Sequence, residues 1–354
     1  MYLEINGSEG EGGGQILRSS LAMSAVLGQP VRFRSIRAGR DRPGLHAQHL
    51  TCVNALAKIT GADVAGANLG SQELAFAPHT IRAGTYRFDV AEVSPSAGSL
   101  SLVFQAIALP LAFANDVSRI TLSGGTHVSF SPSVHYLQMI YLPTIAQMGL
   151  QADIELRKWG WYPKGGGEAV AEVYPAELRG AHLSERGSPK NIRVVSASSN
   201  LPASIARRQE ESSLRILKSE GIEVSSEIVE PPAQDKATVV FVAVEFENGR
   251  AGFMALGERG KRAEVVAEEA ANECVDFLRA DAAIDEHLAD QLIPLMALAK
   301  GRSSFTTSRI TSHLLTNIWV AEQFLPIKFW VSGDEGEPGE VSVYGVGYGQ
   351  PSDG

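Results

Sequence analysis

Three glycine clusters divide the chain: "GEGGGQ" at 10–15, "SGGT" at 123–126 and "KGGGE" at 164–168. They stand at similar junctions between regular stretches, where glycine lets the backbone turn tightly or approach a neighbour closely. The elements between them recur in order. "MYLEIN" reads as a strand. The apolar-periodic helix "QILRSSLAMSAVLG" follows, ended by Gly28 and Pro30. "VRFRSIR" alternates as a half-buried strand does, and after the loop "AGRDRPG" a second helix runs through "LHAQHLTCVNALAKI" to Gly61. Two extended stretches, "ELAFAP" and "TYRFDV", complete a strand, helix, strand, helix, strand, strand unit. The order returns in "SLSLVFQAIALPLAFA", "SRITLSGG", "SPSVHYLQMIYLPTIAQMG", "LQADIELRKWG" and "EAVAEVYP". A third copy uses "EHLADQLIPLMALA", "SSFTTS", "TSHLLTNIWVAEQFL", "PIKFWV" and "EVSVYGV". The expected fold class is α+β, built from internal repeats.

The rhythm changes between about 184 and 280. "ERGSPKN" reads as a linker, "PPAQD" interrupts a strand–helix–strand segment, and the helix "KRAEVVAEEAANECVDFLRA" closes it. The expected organisation is therefore a repeated-unit domain at 1–183 and 281–344, an inserted α/β domain at 184–280, and a tail at 345–354 with a frayed end. With 354 residues, 44% of them hydrophobic, the chain can bury a sizeable core. No apolar run reaches the roughly 18 residues of a membrane span, and "LVFQAIALPLAFA" contains Pro110 and reads as a buried helix. The two cysteines, Cys52 and Cys274, lack metal spacing. A reducing, cytoplasmic setting and no membrane are expected.

A net charge of −9 argues against non-specific coating of nucleic acid, but not against a local basic site. Arg32, Arg34, Arg37, Arg40 and Arg42 all fall within "VRFRSIRAGRDR". Arg32 and Arg34 share a strand face and read as solvated. Arg37 and Arg40 flank a glycine in the loop and have the spacing of a fork for phosphate oxygens. The phosphate and charged-surface readings both stay open.

Motifs of P-loop enzymes, zinc and serine hydrolases and dinucleotide folds are absent. The glycine loop nevertheless precedes a helix, whose free N–H groups suit phosphate. Glu11 would repel that phosphate unless a divalent cation lay between them. A tight turn with a solvated glutamate is the competing reading. His49 shares an apolar helix stripe with Leu45, Cys52, Val53 and Leu56, as a satisfied core histidine would. His313 follows Thr311 and Ser312, either of which suits an N-cap, so its ring stands in the first turn of a helix. The dipole there disfavours protonation and leaves a nucleophilic imidazole, which Asp290 is placed to orient by accepting from the other nitrogen. An ordinary helix-start histidine is the bland counterpart.

"GEGGGQILRS", "SIRAGRDRPGLHAQHL", "SAGS" with Gln105 after it, "SGGT", "WYPKGGGE", "GERG", "HLADQLIPLMALA" and "SHLLTN" occur in one order. Over residues 3 to 344 this set resembles the RNA 3′-terminal phosphate cyclases. No single member is specific; the combination is. The resemblance implies three repeated units, each a four-stranded sheet with two helices, and a thioredoxin-like insert. It implies ATP-dependent conversion of an RNA 3′-phosphate to a 2′,3′-cyclic phosphodiester. A histidine takes AMP from ATP, AMP passes to the RNA phosphate, and the adjacent 2′-hydroxyl displaces it.

Carried over by position, the resemblance makes His313 the adenylylated residue and Glu11 the ligand of a magnesium or manganese ion. Arg18, Arg37, Arg40, Gln48 and His49 match the polar cluster around the phosphates of ATP and RNA. Gln105, His287, Leu288, Ala289, Asp290 and Gln291 match nucleotide-pocket positions, and Pro132 and Tyr136 its apolar walls. His287 departs from the pattern, since similar proteins often carry a tyrosine there that packs on adenine. Two other readings share parts of this pattern. Non-catalytic relatives that bind RNA in ribosome assembly lack the nucleophilic histidine, and enolpyruvyl transferases share the repeated architecture without using a histidine nucleophile.

Overall fold

The structure, a computed structural model, describes residues 1–349. The first sheet is formed by β1 (Leu3–Asn6), β2 (Val31–Arg34), β3 (Asp63–Ala65) and β4 (Leu74–Ala77), with helices α1 (Gly14–Leu27) and α2 (Ala47–Thr60). Both helices end in a left-handed glycine, Gly28 and Gly61, which closes the last turn without a Cβ penalty. The sheet order is β1-β2-β4-β3, with β1 and β2 parallel and the other pairs antiparallel. Alternation in β2 is clean: Val31 and Phe33 are buried, Arg32 and Arg34 exposed.

The second sheet contains β5 (Thr85–Asp89), β6 (Ser118–Gly124), β7 (Ala152–Lys158) and β8 (Gly167–Val173) in the order β5-β6-β8-β7. Its helices are α3 (Leu100–Ala112), capped by the Ser99 hydroxyl, and a composite of α4 (Val134–Tyr136), a π-helical turn (Leu137–Tyr141) and α5 (Leu142–Gln147). Here the extended stretches must be reassigned. "TYRFDV" is not the last strand of the first sheet; as β5 it opens the second, pairing in parallel with β6. The first sheet takes "DVA" at 63–65 instead, a three-residue strand too short to carry a periodic signal.

β9 (His182–Leu183) precedes a separate sheet of β10 (Pro189–Ser199), β11 (Glu223–Val229), β12 (Ala237–Phe246) and β13 (Arg250–Leu256), ordered β11-β10-β12-β13 and covered by α6 (Ser204–Leu217) and α7 (Ala263–Arg279). This segment has its own core, in which Val194, Val240 and Val242 meet Val266, Ala270 and Cys274. The segment read as a linker holds a staple. Arg186 donates to the carbonyls of Phe277, Leu278, Ala280 and Ala282, closing the end of α7, and lies over the rings of Phe246 and Phe277.

The chain then returns through α8 (Glu286–Leu298), β14 (Lys300–Thr307), α9 (Ser312–Phe324), β15 (Trp330–Ser332) and β16 (Gly339–Val346). β14 pairs in parallel with β9 and antiparallel with β16, giving the order β15-β16-β14-β9. Thus β9, β14, β15 and β16, taken in chain order, are arranged as the strands of the first two sheets are. One apolar core runs through these three sheets and their helices. The expected tail boundary cuts β16, and Gly347 and Tyr348 stay bound to the carbonyls of Ala299 and Leu298. Residues 350–354 of the expected tail lie outside the described residues.

Candidate active site

Residues about 300 apart in sequence meet where α1, α8 and α9 converge. The loop before α1 turns through Gly10 and Gly12, both with positive φ. A Cβ on Gly13 would stand 2.1 Å from the Glu11 carboxylate, and one on Gly14 would stand 2.2 Å from His49 Nε2. The glycines are therefore the space into which Glu11 and His49 fit. Three side chains stitch the helices together. Thr316 accepts from the Glu11 N–H (3.1 Å), Ser19 donates to Asn317 Oδ1 (2.7 Å), and Asn317 Nδ2 donates to the Asp290 carbonyl (2.7 Å).

His313 occupies the second position of α9. Thr311 is the N-cap, accepting from the Leu314 N–H, so the choice left between Thr311 and Ser312 resolves to the former. The imidazole is 52% exposed on its side chain and lies 3.8 Å from Glu11 Oε2. Burial of the rest of the ring, then the charges of Arg18, Arg40 and His287, hold its pKa below the ordinary histidine value. Asp290 does not reach the ring, contrary to the direct contact expected. Gln15 stands between them: its Nε2 donates to Asp290 Oδ2, and its Oε1 lies 2.5 Å from His313 Nδ1. Burial pushes Asp290 up to about 7, against the opposing charges of His287 and Arg18.

Around this centre lie the other expected residues. Arg40 is ion-paired with Glu11 Oε1, while Glu11 Oε2 is buried without a hydrogen-bond partner. His49 Nδ1 accepts from the His46 N–H (3.1 Å), which puts the proton of the neutral ring on Nε2, facing Gly14. Burial first, then the charges of Arg18, Arg37 and His46, keep His49 neutral. Arg18 is half-buried beside the same glycine. Gln48 accepts from the Ser99 N–H (2.8 Å), tying α2 to the start of α3.

Arg37 is not brought into a fork with Arg40. Its guanidinium donates to the carbonyls of Arg42 (2.8 Å) and Gly44 (2.9 Å), holding a loop in which Arg37 itself has a φ of 53°.

Gln105 donates to Gln291 Oε1 (2.5 Å), and Gln291 donates to the His287 carbonyl (2.5 Å). The His287 ring is exposed, Leu288 and Ala289 are buried, and Pro132 is half-buried. Tyr136 is more than an apolar wall. Its buried hydroxyl donates to Asp285 Oδ1 (2.7 Å), the N-cap of α8, whose other oxygen accepts from the Gly252 N–H of β13. Gln15, Thr316, Asn317 and Asp285 escaped the sequence reading. A signal existed for one: Asn317 stands four residues after His313 in α9, the spacing that puts polar groups on one helix face.

Residues 9–331 match the family model described as RNA 3′-terminal phosphate cyclase. The chain belongs to that family. Relatives named RNA 3′-terminal phosphate cyclase include one from Desulfurococcus amylolyticus, 44% identical over 98% of this chain and 99% of that one. Another, from Archaeoglobus fulgidus, is 43% identical over 91% of this chain and 95% of its own. One from Nostoc punctiforme is 42% identical over 91% and 94%. The solved enolpyruvyl transferase NikO from Streptomyces tendae aligns with 61% of this chain and 38% of its own at a TM-score of 0.27 and 14% identity, too remote to bear on the fold.

Proposed function

We propose that this chain converts RNA 3′-terminal phosphates to 2′,3′-cyclic phosphodiesters at the expense of ATP, through AMP carried on His313. The observation that carries this is a half-exposed, deprotonation-favoured imidazole at the first turn of α9, 3.8 Å from a carboxylate in the glycine loop, in a chain of this family. In the first step a ring nitrogen of His313 attacks the α-phosphorus of ATP. The P–N bond forms as the P–O bond to pyrophosphate breaks, and the phosphoramidate stays reactive enough to be displaced. In the second step an oxygen of the RNA 3′-phosphate attacks the same phosphorus and frees the imidazole. In the third the 2′-hydroxyl attacks the RNA phosphorus, closing the ring and releasing AMP.

The neighbouring donors have matching tasks. Arg18, Arg40 and the Nε2–H of His49 face the glycine loop at the start of α1, where free N–H groups suit phosphate oxygens. The unpartnered, buried Glu11 Oε2 fits a divalent cation. Among the described residues no cluster of three ligating side chains accompanies it, so phosphate oxygens would complete the shell. Such an ion, magnesium or manganese, offsets charge on the departing pyrophosphate. Gln105, Gln291 and the exposed His287 border the nucleotide in this scheme, with Pro132 beside them.

The common strand order of the three sheets supports descent from one unit repeated three times, with residues 184–280 a thioredoxin-like insert. Two buried, free cysteines and the absence, among the described residues, of a helix able to cross a membrane accord with a cytoplasmic enzyme.

RNA ends test the scheme. A strand ending in a 2′-deoxy-3′-phosphate is expected to accept AMP and stop, because only the vicinal hydroxyl enjoys the effective molarity of ring closure, on the order of 10⁵ M or more. A normal 3′-phosphate goes on to the cyclic product, and a 3′-hydroxyl end does neither. Efficient AMP release from the 2′-deoxy strand would mean that water or a protein group attacks instead.

A further inference from the structure

We propose that Gln15 is the positioning residue of the reaction, fixing which nitrogen of His313 carries the proton and which attacks. The proposal rests on His313 being the nucleophile. An amide has one donating and one accepting end. In the first turn of α1 the Gln15 Nε2 is committed to Asp290 Oδ2, so Oε1 faces His313 Nδ1 at 2.5 Å. An amide oxygen only accepts. Nδ1 must therefore bear the hydrogen, and Nε2 keeps the lone pair. Gln15 is 5% exposed, and its place is set by the stitches from Ser19 to Asn317 and from Asn317 to the Asp290 carbonyl.

The polarity of this relay originates at Asp290. As a carboxylate it only accepts, and Gln15 is held in the productive orientation. Once protonated it becomes a donor; the Gln15 amide is then better satisfied turned over, with its NH₂ toward His313, and the lone pair moves to the buried nitrogen. The groups facing Asp290 are Asp285 and His287 of its own helix, Arg18 of α1, and Tyr136 and Tyr141 of the composite helix of the second sheet. Burial among them raises Asp290 to about 7. The relay is thus intact above neutrality and lost as pH falls below it.

The test uses the full chain with ¹⁵N-labelled histidine. Long-range proton–nitrogen correlations report the tautomer of His313, assigned by its loss in His313→Asn, while transfer of label from α-labelled ATP gives the adenylylation rate. The native protein should show the Nδ1–H tautomer. Gln15→Leu should lose it while keeping a dispersed, folded spectrum. Its rate should fall by on the order of 10²-fold, the scale on which a misplaced reacting group slows a reaction, with the KM for ATP little changed. The double variant Gln15→Glu with Asp290→Asn preserves the order of donor and acceptor and should recover much of the loss. In it the amide introduced on α8 would donate, and the carboxylate introduced on α1 would accept from Nδ1–H. The native rate should also fall with acidification below about pH 7. An Nε2–H tautomer in the native protein, or a native rate in Gln15→Leu, overturns the role of Gln15 while leaving the nucleophile in place. No label on native His313 overturns the reading beneath it, whatever the tautomer.

Discussion

Glu11 shows how a residue can be legible in type and not in detail. Its position in a glycine loop before a helix suggests either a carboxylate joined to phosphate by a divalent cation or a solvated glutamate. The structure buries the side chain, pairs Oε1 with Arg40 and leaves Oε2 unmet. Glu11→Ala is expected to slow adenylylation by tens-fold, the usual effect of losing a metal ligand or its support. The loss should ease as metal concentration rises, and RNA binding should change less. Measuring adenylylation against metal concentration decides the matter: an unchanged metal dependence would leave Glu11 as the partner of Arg40 alone. His313 is legible because its helix start is local. The route from Asp290 through Gln15 is not, since the two residues lie on helices 275 positions apart and a buried glutamine leaves no mark in composition. Tyr136 misleads for a related reason: its ring is apolar, but its hydroxyl serves a cap on another helix.

Among the elements, helices read closely and strand membership less so. α1 and α2 announce themselves through apolar periodicity and glycine stops, both properties of neighbouring residues. Which sheet a strand joins is decided by pairing at long range, so "TYRFDV" reads from sequence as part of the wrong sheet. β9, two residues long and paired 122 positions away, gives no strand signal of its own. The linker-like "ERGSPKN" carries the same ambiguity. Polar composition says nothing of Arg186 reaching four carbonyls at the far end of the insert. Arg186→Ala removes charge-assisted hydrogen bonds and two ring contacts, and should loosen the end of α7 by roughly 2–4 kcal/mol. Native-state hydrogen exchange is the measure, with protection expected to fall at the end of α7 and around Phe246 at the end of β12 and adenylylation nearly unchanged. Unaltered protection there would make the staple ornamental to stability.

At the scale of the molecule, the repeated order of elements and the inserted segment can be anticipated because each depends on local pattern. The convergence of α1, α8 and α9 cannot, because it arises only when the chain returns after the insert and docks against the first unit. That return brings His313 within 3.8 Å of Glu11. The acidic total of −9 coexists with this site because Arg18, Arg40 and the neutral His49 act at close range. Covalent AMP on His313 is the central claim, and the direct measurement is incubation of the full chain with α-labelled ATP and a divalent metal, without RNA, followed by a denaturing gel and site mapping. The account predicts acid-labile, alkali-stable label on His313 and none on a folded His313→Ala variant. Label that persists in that variant, or maps to another residue, would contradict it.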